Sequence, residues 1–212
     1  MDPQFLKNSW FQKPRKSGLV YSPSPLVCNH RVDFQSNCDP QNFYSSYSND
    51  CSLPENLDTT SFINFTGPVI SENTRAWFGV TLVKMNWQDG RDHCESLRLE
   101  MAQVHSSEDN EVIYDMPRQF LRTRGYEVWI GGLVDGEILQ GDQANRDIWM
   151  WTNDNPICWD SDHSFDGWSG LEPNNAGVEG CLEISWHGDR NGWNDWGCWN
   201  KAYVACEFRC LV

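Results

Sequence analysis

Apolar and polar positions fall into two textures along the chain. Residues 1–70 show no sustained period and are rich in Ser, Asn, Pro and Asp. Within them, Ser22-Pro23-Ser24-Pro25 reads as an extended linker and Asn37 to Asn49 as polar loop. A weakly ordered N-terminal segment is expected over 1–70, and one folded domain over 71–212. In the second part, Trp77-Phe78-Gly79-Val80-Thr81-Leu82-Val83 predicts a strand. Asn86 is placed to cap a helix whose Trp87, Cys94 and Leu97 share one face. Ser106, with Asp109 three residues on, marks the start of a second helix. Its buried side is expected at Val112, Ile113, Met116 and Phe120, with strain or an end near Pro117.

Residues 126–133 (YEVWIGGL), Ile148 to Trp151, Cys181 to Ile184 and Ala202 to Phe208 predict further strands. Between them, residues 152–180 are long, polar and full of turn formers, and a loop of that length inside a domain is usually functional. Strand, two helices, several strands and one long loop make an α+β domain. Eleven of the twelve tryptophans lie in residues 77–212, and most are read as core mass for a domain with little regular structure.

Charge narrows the choice of partners. Residues 1–76 carry six basic and seven acidic side chains, against ten and twenty-three in residues 77–212. That acidity argues against nucleic acid or an anionic membrane surface. No run of eighteen apolar residues is present, so no transmembrane helix or membrane insertion is expected. Nine cysteines without a CxxC pair point to disulfides in a secreted or extracellular protein rather than to zinc. The odd count leaves at least one cysteine free or bonded to another chain. Asn64-Phe65-Thr66 is a possible glycosylation site. Lys7, Lys13, Arg15 and Lys16 interrupt any apolar leader near Met1, so a leader missing from the sequence is inferred.

The chemistry concentrates in two tripeptides. Glu172-Pro173-Asn174 stands shortly before Cys181, and Trp193-Asn194-Asp195 shortly before Cys198. Oxygen-only side chains of this kind suit a hard cation such as calcium. An acid beside an amide also accepts from, and donates to, one sugar hydroxyl. With Trp129-Ile130-Gly131-Gly132 and Cys206 in Val204-Ala205-Cys206-Glu207, these marks stand in an order that resembles a C-type lectin domain. The match covers nearly all of residues 77–212, and residues 1–76 show none. The resemblance implies two helices, small antiparallel sheets, a long calcium-binding loop and disulfide staples. It pairs Cys94 with Cys206, and Cys181 with Cys198, the latter closing the loop that carries Trp193-Asn194-Asp195. Cys158 and Cys210 fall outside the pattern, free to pair with each other or with the N-terminal segment.

The sugar-binding members hold calcium with five side chains, matched here by Glu172, Asn174, Glu179, Asn194 and Asp195. The Glu172–Pro173 bond is cis in such members. Glu-Pro-Asn goes with equatorial 3,4-diols, as in mannose, N-acetylglucosamine and fucose, and not with galactose. The resemblance therefore implies a calcium-dependent, mannose-type lectin with a recognition or innate-immune role. Oligomers through the N-terminal segment or the unpaired cysteine would add avidity. Neutral Asn175 and Gly180 imply one calcium site. Asp160, Asp162, His163 and Asp166 lengthen the loop before it and are read as a solvated loop, the alternative being extra contacts to extended glycans or a second cation. Trp186, His187 and Arg190 are candidates to flank the sugar, with core or turn support preferred for Trp186. An enzyme is not expected: Glu179 and Glu183, with His105, His163 and His187, lack any nucleophile motif. The alternative is a lectin-like domain that binds a protein or surface without sugar.

Overall fold

The computed structural model describes residues 51, 53–70, 74–121, 126–134, 146–157, 165–176, 178–187 and 190–211. Cys28, Cys38, Cys158, Asp160, Asp162, His163 and the 22–25 linker lie outside them. The elements in chain order are β1 (Phe62–Ile70), β2 (Thr74–Thr81), α1 (Trp87–Ser96), β3 (Glu100–Met101), α2 (Ser107–Leu121) and β4 (Val128–Val134). They continue with β5 (Trp149–Trp151), β6 (Cys181–His187), β7 (Arg190–Trp196) and β8 (Tyr203–Leu211). A short 3-10 turn, Arg146–Ile148, leads into β5.

The main sheet runs β1-β2-β8-β4-β6-β7, with β3 on β8 and β5 on β4. Its pairs are antiparallel except β4 with β8, so the sheet is mixed rather than made of antiparallel pieces alone. The parallel pair arises because the last strand inserts between β2 and β4 in the middle of the sheet.

Both helices start where the polar pattern predicts. The Asn86 side chain accepts from the Asp89 N–H at 2.8 Å, and Ser106 Oγ accepts from the Asp109 N–H at 3.1 Å. Each bond satisfies one N–H that a helix start leaves unpaired. Helix α1 buries Trp87 and Cys94 against Met101, Trp129, Val204 and Cys206. Helix α2 buries Ile113, Tyr114 and Met116 against Phe78, Val80, Val128 and Ile184. It does not end at Pro117 but runs on to Leu121. Phe120 is not on the buried side: it is 57% exposed. The buried residues run from Asp109 to Pro117, and in the last turn it is Leu121, not Phe120, that packs half-buried against the core.

Strand β1 lies within the stretch read from its composition as weakly ordered. Its register on β2 shifts twice, once between Thr66 and Val69 around Gly67-Pro68, and those shifts hide its alternation in the sequence. Among the described residues three disulfides staple the domain: Cys51–Cys210, Cys94–Cys206 and Cys181–Cys198. Cys210 therefore bonds to the segment before the sheet. Among the described residues no helix is long and apolar enough to cross a membrane.

Candidate metal and ligand site

Trp193-Asn194-Asp195 stands on strand β7, not in a loop. Its register against β6 places Glu183 opposite Asn194 and Leu182 opposite Asp195. The loop before β6 folds back onto this strand through a Trp168–Trp193 bridge. The Trp193 N–H donates to the Gly167 carbonyl at 2.6 Å, and the Ser169 N–H donates to the Trp193 carbonyl at 3.0 Å. Gly167 is required here because a Cβ would run into the Trp193 ring. That ring is fully buried and packs edge-on against Trp151, Phe165 and Trp168. Its Nε1–H donates to Asn110 Oδ1 of α2 at 3.2 Å. The tryptophan of the tripeptide is thus a core anchor that fixes the two residues after it.

This stitching brings Glu172 and Asn174 to Asp195. The buried Asp195 carboxylate accepts from the Asn174 N–H at 3.0 Å and the Asn175 N–H at 2.8 Å. The peptide bond before Pro173 is cis. Glu172 Oε2 is buried with no hydrogen-bond partner among the described residues. Burial first, then a hydrogen bond with Asp195 and the charge of that carboxylate, push the Glu172 carboxyl up to about 7. Glu179 is raised as well, by burial and then by the charge of Asp195. Three carboxyls therefore crowd one partly dry spot, and the cost of ionising them together is visible in the shifts of Glu172 and Glu179.

Asn194 is held differently. Its amide donates to Glu183 Oε1 at 2.9 Å. Glu183 is 3% exposed, and burial pushes its carboxyl up to about 7. A carboxylate of Glu183 only accepts, so the amide nitrogen must face it and the amide oxygen must face away.

The donor chemistry fits a hard cation. The atoms are oxygens, one of them buried and without a partner, and mutual repulsion would fall on binding a positive charge. Among the described residues, no group of three His, Cys, Asp or Glu side chains is by itself placed to hold a metal ion. Two of the five candidates are amides, and both Asp195 oxygens accept from backbone N–H groups.

Two supporting residues escaped the sequence reading. Glu183 has a signal, an acid inside an apolar strand. Arg146 has none: it lies 26 positions before the Glu172 carbonyl to which it donates. Asp166, read from sequence as part of a solvated loop, forms an ion pair with Arg146. His105 is half-buried against Trp151 beside the second helix, outside this site. Asn64 is exposed on β1.

The sequence profile of the lectin C-type domain matches residues 83–208. A ladderlectin of Oncorhynchus mykiss is 31% identical over 118 residues, 55% of this chain and 53% of that one. A CD209 antigen-like protein A of Mus musculus is 28% identical over 128 residues, 60% of this chain and 45% of that one. The chain spans about half the length of the curated relatives it matches. Among solved structures, the C-type lectin CEL-I from Cucumaria echinata superposes with a TM-score of 0.50 at 19% identity. That superposition covers 69% of this chain and 96% of CEL-I. By the extent of the profile match, the chain belongs to the C-type lectin domain family.

Proposed function

We propose that this protein is a calcium-dependent lectin for glycans that present equatorial 3,4-diols, of the mannose, N-acetylglucosamine and fucose type. The observation that carries the reading is the meeting of the Glu172–Asn174 loop with Asn194–Asp195, with one Glu172 oxygen buried and without a partner. Glu172, Asn174, Glu179, Asn194 and Asp195 would hold the ion. Calcium held there would supply a Lewis acid for one lone pair from each of two vicinal hydroxyls. Glu172 and Glu179 would accept hydrogen bonds from those hydroxyls, and the Asn174 and Asn194 amides would donate to the remaining lone pairs. Three carboxylates against a divalent cation leave a net charge of −1, and an oxygen shell of six to eight leaves room for the sugar. Three disulfides and an exposed Asn64 sequon support a secreted or extracellular glycoprotein. No nucleophile is required, since recognition here breaks no bond. The test is retention on mannose-agarose in calcium, with elution by EDTA; no retention in calcium defeats the reading.

A second reading, binding of a protein or surface without sugar, draws on exposed apolar neighbours of the site. Leu171 is 92% exposed beside Glu172, and Val178 is exposed beside Glu179. Capture of a ligand that persists in EDTA would select it.

A further inference from the structure

We infer that Arg146 is a positioning residue for this site, a two-pronged clamp that sets where Glu172 stands. The inference rests on the calcium-dependent reading above. One guanidinium nitrogen donates to Asp166 Oδ2 at 2.8 Å, and the other donates to the Glu172 main-chain carbonyl at 2.9 Å. The guanidinium lies 5.9 Å from the Trp168 ring centre. Asp166 in turn accepts from the Trp168 N–H at 3.1 Å. Arg146 thus joins the entry of the loop segment, at Asp166 and Trp168, to its functional end at Glu172.

Other bonds tie Gly167 and Ser169 to β7 and the Glu172 N–H to Ser169, but the Glu172 carbonyl is held by Arg146. The side chain is 27% exposed, so its two bonds form partly out of water. A planar fork spans two acceptors at once, which a lysine ammonium on a flexible stem does not. Placement of Glu172 matters because a calcium oxygen is tolerated only between about 2.3 and 2.6 Å.

Calcium titration by calorimetry, with calcium chloride alone and the full chain, tests the clamp. Arg146→Met is expected to weaken calcium binding about tenfold, the scale of one charge-assisted bond. Arg146→Lys should recover part of that loss. Asp166→Asn should weaken binding in the wild type and add nothing in the Arg146→Met background. The near-ultraviolet circular dichroism and thermal midpoint in EDTA should stay unchanged, which a general structural role would not allow. Unchanged calcium affinity in Arg146→Met overturns the inference, as does a loss matched by an equal fall of the EDTA midpoint. If Arg146→Met does not fold, Arg146→Lys decides: weakened calcium binding supports the clamp and wild-type binding overturns it. A wild-type chain that takes up no calcium defeats the proposed function itself, and the clamp with it.

Discussion

At the scale of single residues, the site is a problem of donors and acceptors. Asp195 accepts from two backbone N–H groups, and an asparagine there has one acceptor oxygen and would turn an N–H toward a donor. Asp195→Asn should therefore weaken calcium binding at least a hundredfold and lower the thermal midpoint in EDTA as well. Retained calcium affinity in titration would show that the Asp195 bridge is dispensable. The order of acid and amide has its own consequence. Glu172→Gln with Asn174→Asp exchanges donor and acceptor toward the sugar and should move preference from mannose toward galactose. A glycan array with the same mannose ranking as the wild type would sink that argument. These five residues stand out in the sequence because an acid and an amide recur at short range beside cysteines. Glu183 stands out only as a candidate catalytic acid, and Arg146 not at all, since each acts through a partner that only folding brings near.

At the scale of elements, the capped helix starts and the apolar strands are written locally, and so could be read. Strand β7 could not, because Asn191-Gly192-Trp193-Asn194-Asp195 has the composition of a turn and becomes a strand only through its ladder with β6. The same holds for the contact between α2 and β8. There Arg209 donates to both Asp109 and Glu207 at 3.0 Å, all three buried. One cation does not offset the burial of two carboxylates, and Glu207 is pushed up to about 7 from 4.5, by burial before any charge effect. Glu100 and Asp109 add to the rise, and Arg209 opposes it. A raised folded-state value means that stability from this group is present below about pH 4.5 and is lost as pH climbs toward 7. His105 acts in the opposite sense: desolvation of its imidazole, then Arg209, hold it well below 6.5, so its contribution is lost as pH falls. The two slopes oppose each other in the wild type. Glu207→Gln should remove one of them. The stability of wild type relative to this variant, from urea melts in EDTA, should fall by on the order of 3 kcal/mol between pH 4.5 and 7. A difference that stays flat with pH would mean that Glu207 is ionised throughout.

At the scale of the whole molecule, the sheet order separates the Cys51–Cys210 fastening, on the interior strand β8, from the candidate site on the β7 edge. Strand β8 lies beside β2, and β7 is three strands further along. The Cys51–Cys210 bridge therefore fastens the segment before β1 to the last strand, far along the sheet from Asp195. Nothing in the sequence singled out this pairing from the alternatives for Cys210. It joins residues 159 positions apart, yet with Cys94–Cys206 already closed, the loop it adds is only about 50 residues around. Loop entropy then assigns the bridge about 4 kcal/mol rather than the larger value for the full span. Cys51→Ser with Cys210→Ser should lower unfolding stability by about that amount and leave calcium affinity within about twofold of wild type. Cys181→Ser with Cys198→Ser should do the reverse in emphasis. Its shorter loop, 17 positions, stabilises less, about 3 kcal/mol, but it pins the start of β6 to the end of β7, so calcium affinity should fall at least tenfold. Denaturant melts and calcium titration on the two pairs of variants decide the matter. Equal losses of affinity in both would mean that the sheet transmits the Cys51–Cys210 fastening to the site, and that the two are not independent.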